Sequence, residues 1–211
     1  MIDRVLSKRI VPVVVLDDAE NAEPLAEALL EAGLDIIEIT FRTPAAEASI
    51  RRIAKRYTDM LVGAGTLLQV EQVERAAAAG ASFGLAPGLS REVVTTAEKL
   101  GMPFSPGVLT PSEIEQALAL DCKLLKFFPA EAAGGVKMLQ SLAGPYAHTG
   151  IRFIPTGGIT SKNLQEYLQI PLVAAIGGSW MVSPTLIRER NWSEITRLTR
   201  EALDAAAEVT A

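Results

Sequence analysis

The stretch "DIIEITFRTP", Asp35 to Pro44, reads as a β-strand with two unlike faces. Ile36, Ile37, Ile39 and Phe41 are β-branched or aromatic, the composition of a strand that packs into a core. Glu38, Thr40 and Arg42 alternate with the apolar residues, so their side chains share one face of the pleat. In an ordinary half-solvated sheet that face would look onto water. Whether it does so here depends on what surrounds the strand.

Short apolar runs alternate with amphipathic stretches from end to end. "IVPVVVL" (10–16) precedes the helical spacing of "AEPLAEALLEAG", and "IIEITF" (36–41) precedes "AAEASIRRIAKRY". "LVGAGTL" (61–67) pairs with "VEQVERAAAAG", and "FGLAPG" (83–88) with "REVVTTAEKLG". "FSPGVL" (104–109) leads into "PSEIEQALALD", where Pro111 suits a first helical turn. "LLKFFPA" (124–130) leads into "GGVKMLQSLAG", "RFIPTGGI" (152–159) into "SKNLQEYLQ", and "LVAAIGGSWM" (172–181) into a long terminal helix. Glycines close many of the helical stretches, as residues just past a helix end do.

Eight strand–helix pairs without a linker predict a single α/β domain over 1–211, a closed (β/α)8 TIM barrel. Residues 1–8 would form an N-terminal segment and 184–211 a C-terminal helix. A doubly wound open sheet is the rival arrangement. In a barrel both faces of each strand are covered, one by helices and one by the packed interior. Ile37, Ile39 and Phe41 would then face helices, while Glu38, Thr40 and Arg42 would line the interior, rising towards the strand end where such folds carry their chemistry.

The bulk composition narrows the possible partners. The chain has 211 residues, 49% of them hydrophobic, enough for a substantial core. Its formal charge of −5 offers no general attraction to nucleic acid or anionic membranes. With Cys122 the only cysteine and His148 the only histidine, neither a disulfide nor a nitrogen–sulfur zinc site can form within one chain, although carboxylates alone could hold magnesium. The first residues lack a secretory apolar core, and no apolar run is long enough to span a bilayer. A soluble cytoplasmic protein is expected.

The strand ends carry the candidate chemistry. Lys126 sits in "LLKFFPAE" among Leu124, Leu125, Phe127 and Phe128. Desolvation of an amine there favours its neutral form, a nucleophile able to form a Schiff base with a carbonyl. Glycine pairs follow the seventh and eighth runs, in "PTGGIT" and "GGSW". They suit a phosphate cradle of backbone N–H groups, with Thr156 and Ser179 adding hydroxyls. Thr66, in "GAGTL", and the Ala86–Pro87–Gly88 turn would join the same rim, where free N–H groups could hold a carboxylate. His148 reads as an exposed loop residue, Cys122 as a small core residue, and Trp180 as a packing residue.

Taken in order, "EITFRTPAA", "VGAGTL", "PG", "LLKFFPAE", "PTGGI" and "GGSW" closely resemble the bacterial 2-keto-3-deoxy-6-phosphogluconate (KDPG) aldolases, many of which also cleave 4-hydroxy-2-oxoglutarate. The resemblance runs from about Arg9 to Ser183. It implies a class I carbon–carbon lyase needing neither metal nor cofactor, a cytoplasmic homotrimer of the Entner–Doudoroff pathway. Its substrate would be KDPG, its products pyruvate and glyceraldehyde 3-phosphate, with 4-hydroxy-2-oxoglutarate as a second substrate. By the same resemblance Lys126 is the Schiff-base lysine and Glu38 the general acid/base. Arg42 and Thr66 bind the pyruvate carboxylate beside Pro87, and Thr156, Gly157, Gly158, Gly178 and Ser179 hold the phosphate. Ala86 departs from the serine often found before the fourth-strand "PG", which bears on carboxylate binding. Two other classes would keep the phosphate loops: a sugar-phosphate isomerase, epimerase or synthase that uses Lys126 only as a charge, and a catalytically silent binding protein.

Overall fold

The computed structural model describes residues 2–209. Helix α1 (Ile2–Lys8) precedes a strictly alternating chain: β1 (Ile10–Val14), α2 (Ala22–Glu31), β2 (Ile36–Thr40), α3 (Ala46–Arg56), β3 (Leu61–Gly65), α4 (Val70–Ala78), β4 (Phe83–Leu85) and α5 (Arg91–Lys99). The fifth run is two short strands, β5 (Phe104–Ser105) and β6 (Gly107–Val108). Then come α6 (Pro111–Leu118), β7 (Leu124–Phe127), α7 (Gly135–Ala143), β8 (Arg152–Pro155), α8 (Leu164–Leu168), β9 (Ile176–Gly178), α9 (Pro184–Arg188) and α10 (Trp192–Ala207).

Local chemistry sets these starts. Thr110 and Glu113 form a reciprocal capping box with Pro111 at the first helical position of α6. Ser90, Ser183 and Asn191 each accept from a backbone N–H in the first turn of the helix they precede. Strand residues such as Ile10, Ile36, Ile37, Ile39, Leu125 and Phe153 are fully buried. They belong to one hydrophobic cluster that runs from Val5 in α1 to Ala206 in α10.

The single closed barrel of eight strands does not form. The strands make two parallel sheets, one of six in the order β5-β4-β3-β2-β1-β9 and one of three in the order β6-β7-β8. Two features separate them. Pro106 interrupts the fifth run and has no N–H to contribute to a ladder. As a result β5 pairs with β4 while β6 pairs with β7. The eighth run reaches strand geometry only over Ile176–Gly178, so β8 meets it through the isolated bridges Phe153–Val173 and Thr156–Gly177. β1 completes the six-stranded sheet by pairing with β9, Val11 opposite Gly177.

Register then brings particular residues together. Val13 pairs with Glu38, Glu38 with Gly63 and Thr40 with Gly65. In the small sheet Gly107 pairs with Lys126 and Lys126 with Ile154. Where the sheets approach, Lys126 N–H donates to the Pro106 carbonyl at 2.9 Å, and Gly107 N–H donates to the Gly88 carbonyl at 3.1 Å. The turn after β4 lies so close to Gly107 that a Cβ there would sit 2.1 Å from the Pro87 carbonyl oxygen. Backbone cannot yield as a flexible side chain can. Gly107→Ala is therefore expected to cost on the order of 3 kcal/mol, read as a lower urea midpoint at unchanged slope.

Candidate active site

Strand β2 places Glu38 and Thr40 in the interior, 1% and 2% exposed. Thr40 Oγ1 donates to the Val14 carbonyl of β1 at 2.8 Å, which satisfies the hydroxyl within the sheet. Glu38 finds its partner on the other sheet: Lys126 Nζ of β7 donates to Glu38 Oε1 at 3.2 Å. The two side chains are 6% and 1% exposed, so a charged amine and a carboxylate meet across the gap between the sheets almost wholly out of water. Unpaired, either charge would be costly to bury; together they offset most of that cost. The Phe128 ring, 5.8 Å from Nζ, adds a cation–π contact.

Glycines make room for this arrangement. A Cβ at Gly65 would fall 1.9 Å from Glu38 Oε1, so only glycine lets the carboxylate lie across β3 towards Lys126. A Cβ at Gly177 would fall 2.2 Å from Thr156 Oγ1 in the same way. Neither position stood out for this role in the sequence, where "VGAGTL" drew attention to Thr66. The available signal was glycine inside a strand pattern, which marks a close approach.

The other expected residues cluster at the C-terminal ends of the strands. Thr66 follows β3 at φ +58, a costly conformation for a β-branched residue, of a kind that collects at functional sites. Pro87 is half-buried in the turn after β4. The Ala86 N–H already donates to the Ser105 carbonyl at 3.3 Å, so it is committed to the ladder and not free for a carboxylate. Arg42 does not line the interior. β2 ends at Thr40, Phe41 N–H makes the last bond to the Gly65 carbonyl at 2.8 Å, and Arg42 follows in a turn with its side chain exposed.

After β8, Thr156 is 7% exposed, and Gly157 and Gly158 adopt φ of +102 and +81. The turn after β7 braces them: Ala130 N–H donates to the Thr156 carbonyl at 2.8 Å and Glu131 N–H to the Gly157 carbonyl at 3.0 Å. Gly178 is covered by the Trp180 ring, which a Cβ would meet at 1.9 Å, and Ser179 is exposed beyond it. His148 is exposed in a 3-10 turn at 144–149. Cys122 is buried, and burial, with lesser help from Glu98 and Asp121, pushes its thiol up to about 11. Among the described residues no three His, Cys, Asp or Glu side chains converge as a metal site, and no helix is long and apolar enough to cross a membrane.

A buried amine beside a buried carboxylate, at strand ends that also carry two glycine turns, can form a covalent imine and move protons around it. The family described as KDPG and KHG aldolase matches residues 1–198. A 2-dehydro-3-deoxy-phosphogluconate aldolase of Haemophilus influenzae is 46% identical over 204 residues, 97% of this chain and 95% of its own. KDPG aldolase from Legionella pneumophila, solved with pyruvate captured as a covalent carbinolamine, superposes with a TM-score of 0.90 at 39% identity, covering 100% of this chain and 98% of its own. The enzyme of Zymomonas mobilis, solved with 3-phosphoglycerate, gives a TM-score of 0.88 at 36% identity over 99% and 96% of the two chains.

The pairing across the sheets makes a thermodynamic expectation. Lys126→Met leaves the Glu38 carboxylate buried without its partner and should destabilise the fold by about 3–5 kcal/mol. Adding Glu38→Leu removes the orphaned charge, so the double variant should unfold at higher urea than Lys126→Met alone.

Proposed function

The chain belongs to the KDPG and KHG aldolase family, and on that premise we propose how its residues divide the work of a Schiff-base lyase. The reaction is cleavage of KDPG to pyruvate and glyceraldehyde 3-phosphate, and the family covers 4-hydroxy-2-oxoglutarate as well. The observation that carries the assignment of roles is the 3.2 Å contact between Lys126 Nζ and Glu38 Oε1 in a site shielded from water.

Passing the ammonium proton along that contact leaves Lys126 as a free amine and Glu38 as an acid. The amine adds to the C2 ketone of KDPG, giving a carbinolamine. Glu38 returns its proton to the C2 hydroxyl, which leaves as water and yields an iminium ion. The iminium withdraws electrons, so the C3–C4 bond breaks as the Glu38 carboxylate, directly or through one water, takes the proton of the C4 hydroxyl. Glyceraldehyde 3-phosphate departs with C4 as its aldehyde. The remaining enamine takes a proton at C3 from Glu38, and water hydrolyses the pyruvate iminium to free Lys126. The pyruvate carbinolamine in the Legionella relative supports this order of steps.

Arg42, exposed where β2 ends, and Thr66 are assigned to the substrate carboxylate, with Pro87 lining that side. Thr156, Gly157, Gly158, Gly178 and Ser179 are assigned to the phosphate. Gly157 and Gly158 both adopt positive φ, a backbone conformation that suits anion-binding turns, and the phosphoglycerate in the Zymomonas relative fits a phosphate subsite. The family resemblance further supports a homotrimer working in the cytoplasm within the Entner–Doudoroff pathway.

Steady-state cleavage of KDPG, followed by pyruvate release, tests the roles. Glu38→Gln should lower kcat by about 10²- to 10⁴-fold, the usual worth of a positioned acid/base. Unchanged turnover in Glu38→Gln would remove the carboxylate from the mechanism.

A further inference from the structure

Tyr167 on α8 is fully buried, the largest such side chain among the described residues, and its hydroxyl donates to the Glu131 carboxylate. Glu131 lies in the turn after β7, and its stem covers Gly158: a Cβ there would sit 2.6 Å from Glu131 Cβ and 2.7 Å from its Cγ. Its backbone N–H meanwhile holds the Gly157 carbonyl. On the far side, Asn163 Nδ2 donates to the Gly158 carbonyl at 3.3 Å. The glycine turn is thus held from both flanks, and the only charged group among these holders is Glu131.

We propose that Tyr167 is a positioning residue for the Gly157–Gly158 turn, acting through Glu131, and that it sets the preference for phosphorylated over unphosphorylated keto-acid substrates. The proposal rests on the assignment of this turn to the substrate phosphate. Two effects of the tether point the same way. It fixes the Glu131 stem over Gly158, which limits the conformations of the turn before substrate arrives. It also draws the carboxylate to the start of α7: a Cβ at Gly135 would meet Glu131 Oε1 at 3.1 Å and the Tyr167 hydroxyl at 3.3 Å. There the helix N-terminus favours negative charge. Burial, with the Glu131 bond second, holds the Tyr167 phenol above its ordinary value, so it remains a donor across the neutral range.

Tyr167→Phe keeps the ring in its slot and removes only the donor; Glu131→Ala removes the acceptor, and urea midpoints measured on both variants separate lost stability from lost affinity. Each should raise the KM for KDPG about ten-fold, the equivalent of one hydrogen bond to a charged group. The inhibition constant of pyruvate, which carries no phosphate, should stay unchanged. Glu131→Gln keeps an acceptor and should retain most of the affinity, and the double variant Tyr167→Phe/Glu131→Ala should be no worse than either single one. An unchanged KM in both single variants, an equal loss for pyruvate, or additive losses would overturn the proposal. Failure of the wild-type protein to cleave KDPG would instead fault the assigned reaction, and this proposal would fall with it.

Discussion

Glu38 and Lys126 reach one another only because two separate sheets turn polar faces inward at the same level. Each charge is nearly sealed from water, and the effective penalty for burying a lone ion is several kcal/mol. Neither sheet could carry its member of the pair alone at tolerable cost. The contact therefore acts on both levels: it ties the six-stranded sheet to the three-stranded one, and it holds the amine beside the carboxylate proposed to exchange protons with it. The glycines opposite these side chains follow from the same demand. Gly65 yields its volume to the Glu38 carboxylate, and Gly177 yields its volume to Thr156.

The proposed chemistry is divided along that seam. The small sheet supplies the nucleophile on β7 and the phosphate turn after β8. The large sheet supplies the carboxylate on β2, the residues after β3 and β4 assigned to the keto-acid end, and the second glycine turn at β9. A substrate bound at both ends would span the two sheets. Small relative movements of the sheets would then alter the alignment of amine, carboxylate and phosphate together, which gives a physical reason for braces such as the bonds from Ala130 and Glu131 to the β8 turn.

Much of this was legible in the sequence, for identifiable reasons. Period-2 alternation in "IIEIT" put Glu38 and Thr40 on an interior face because strand–helix repeats leave no sheet face for solvent. The apolar flanks of Lys126 announced its burial. Closure of the strands could not be read in the same way. Apolar patterning locates a strand but not its ladder partners, so the loss of one N–H at Pro106 and the shortness of β9, three residues from a run of ten, were invisible to it. Arg42 continued the alternation on paper, yet β2 had already ended at Thr40, and period-2 reasoning fails at a strand end. Gly65 and the Tyr167–Glu131 tether depend on contacts distant in sequence, which no local pattern encodes.

The proposed mechanism requires a covalent bond between the Lys126 amine and the keto acid. Borohydride reduction in the presence of pyruvate, followed by peptide mass mapping, tests it most directly. One stable adduct per chain is expected, on the peptide containing Lys126, and none without pyruvate. Protein left unmodified, or an adduct on any other lysine, would contradict it.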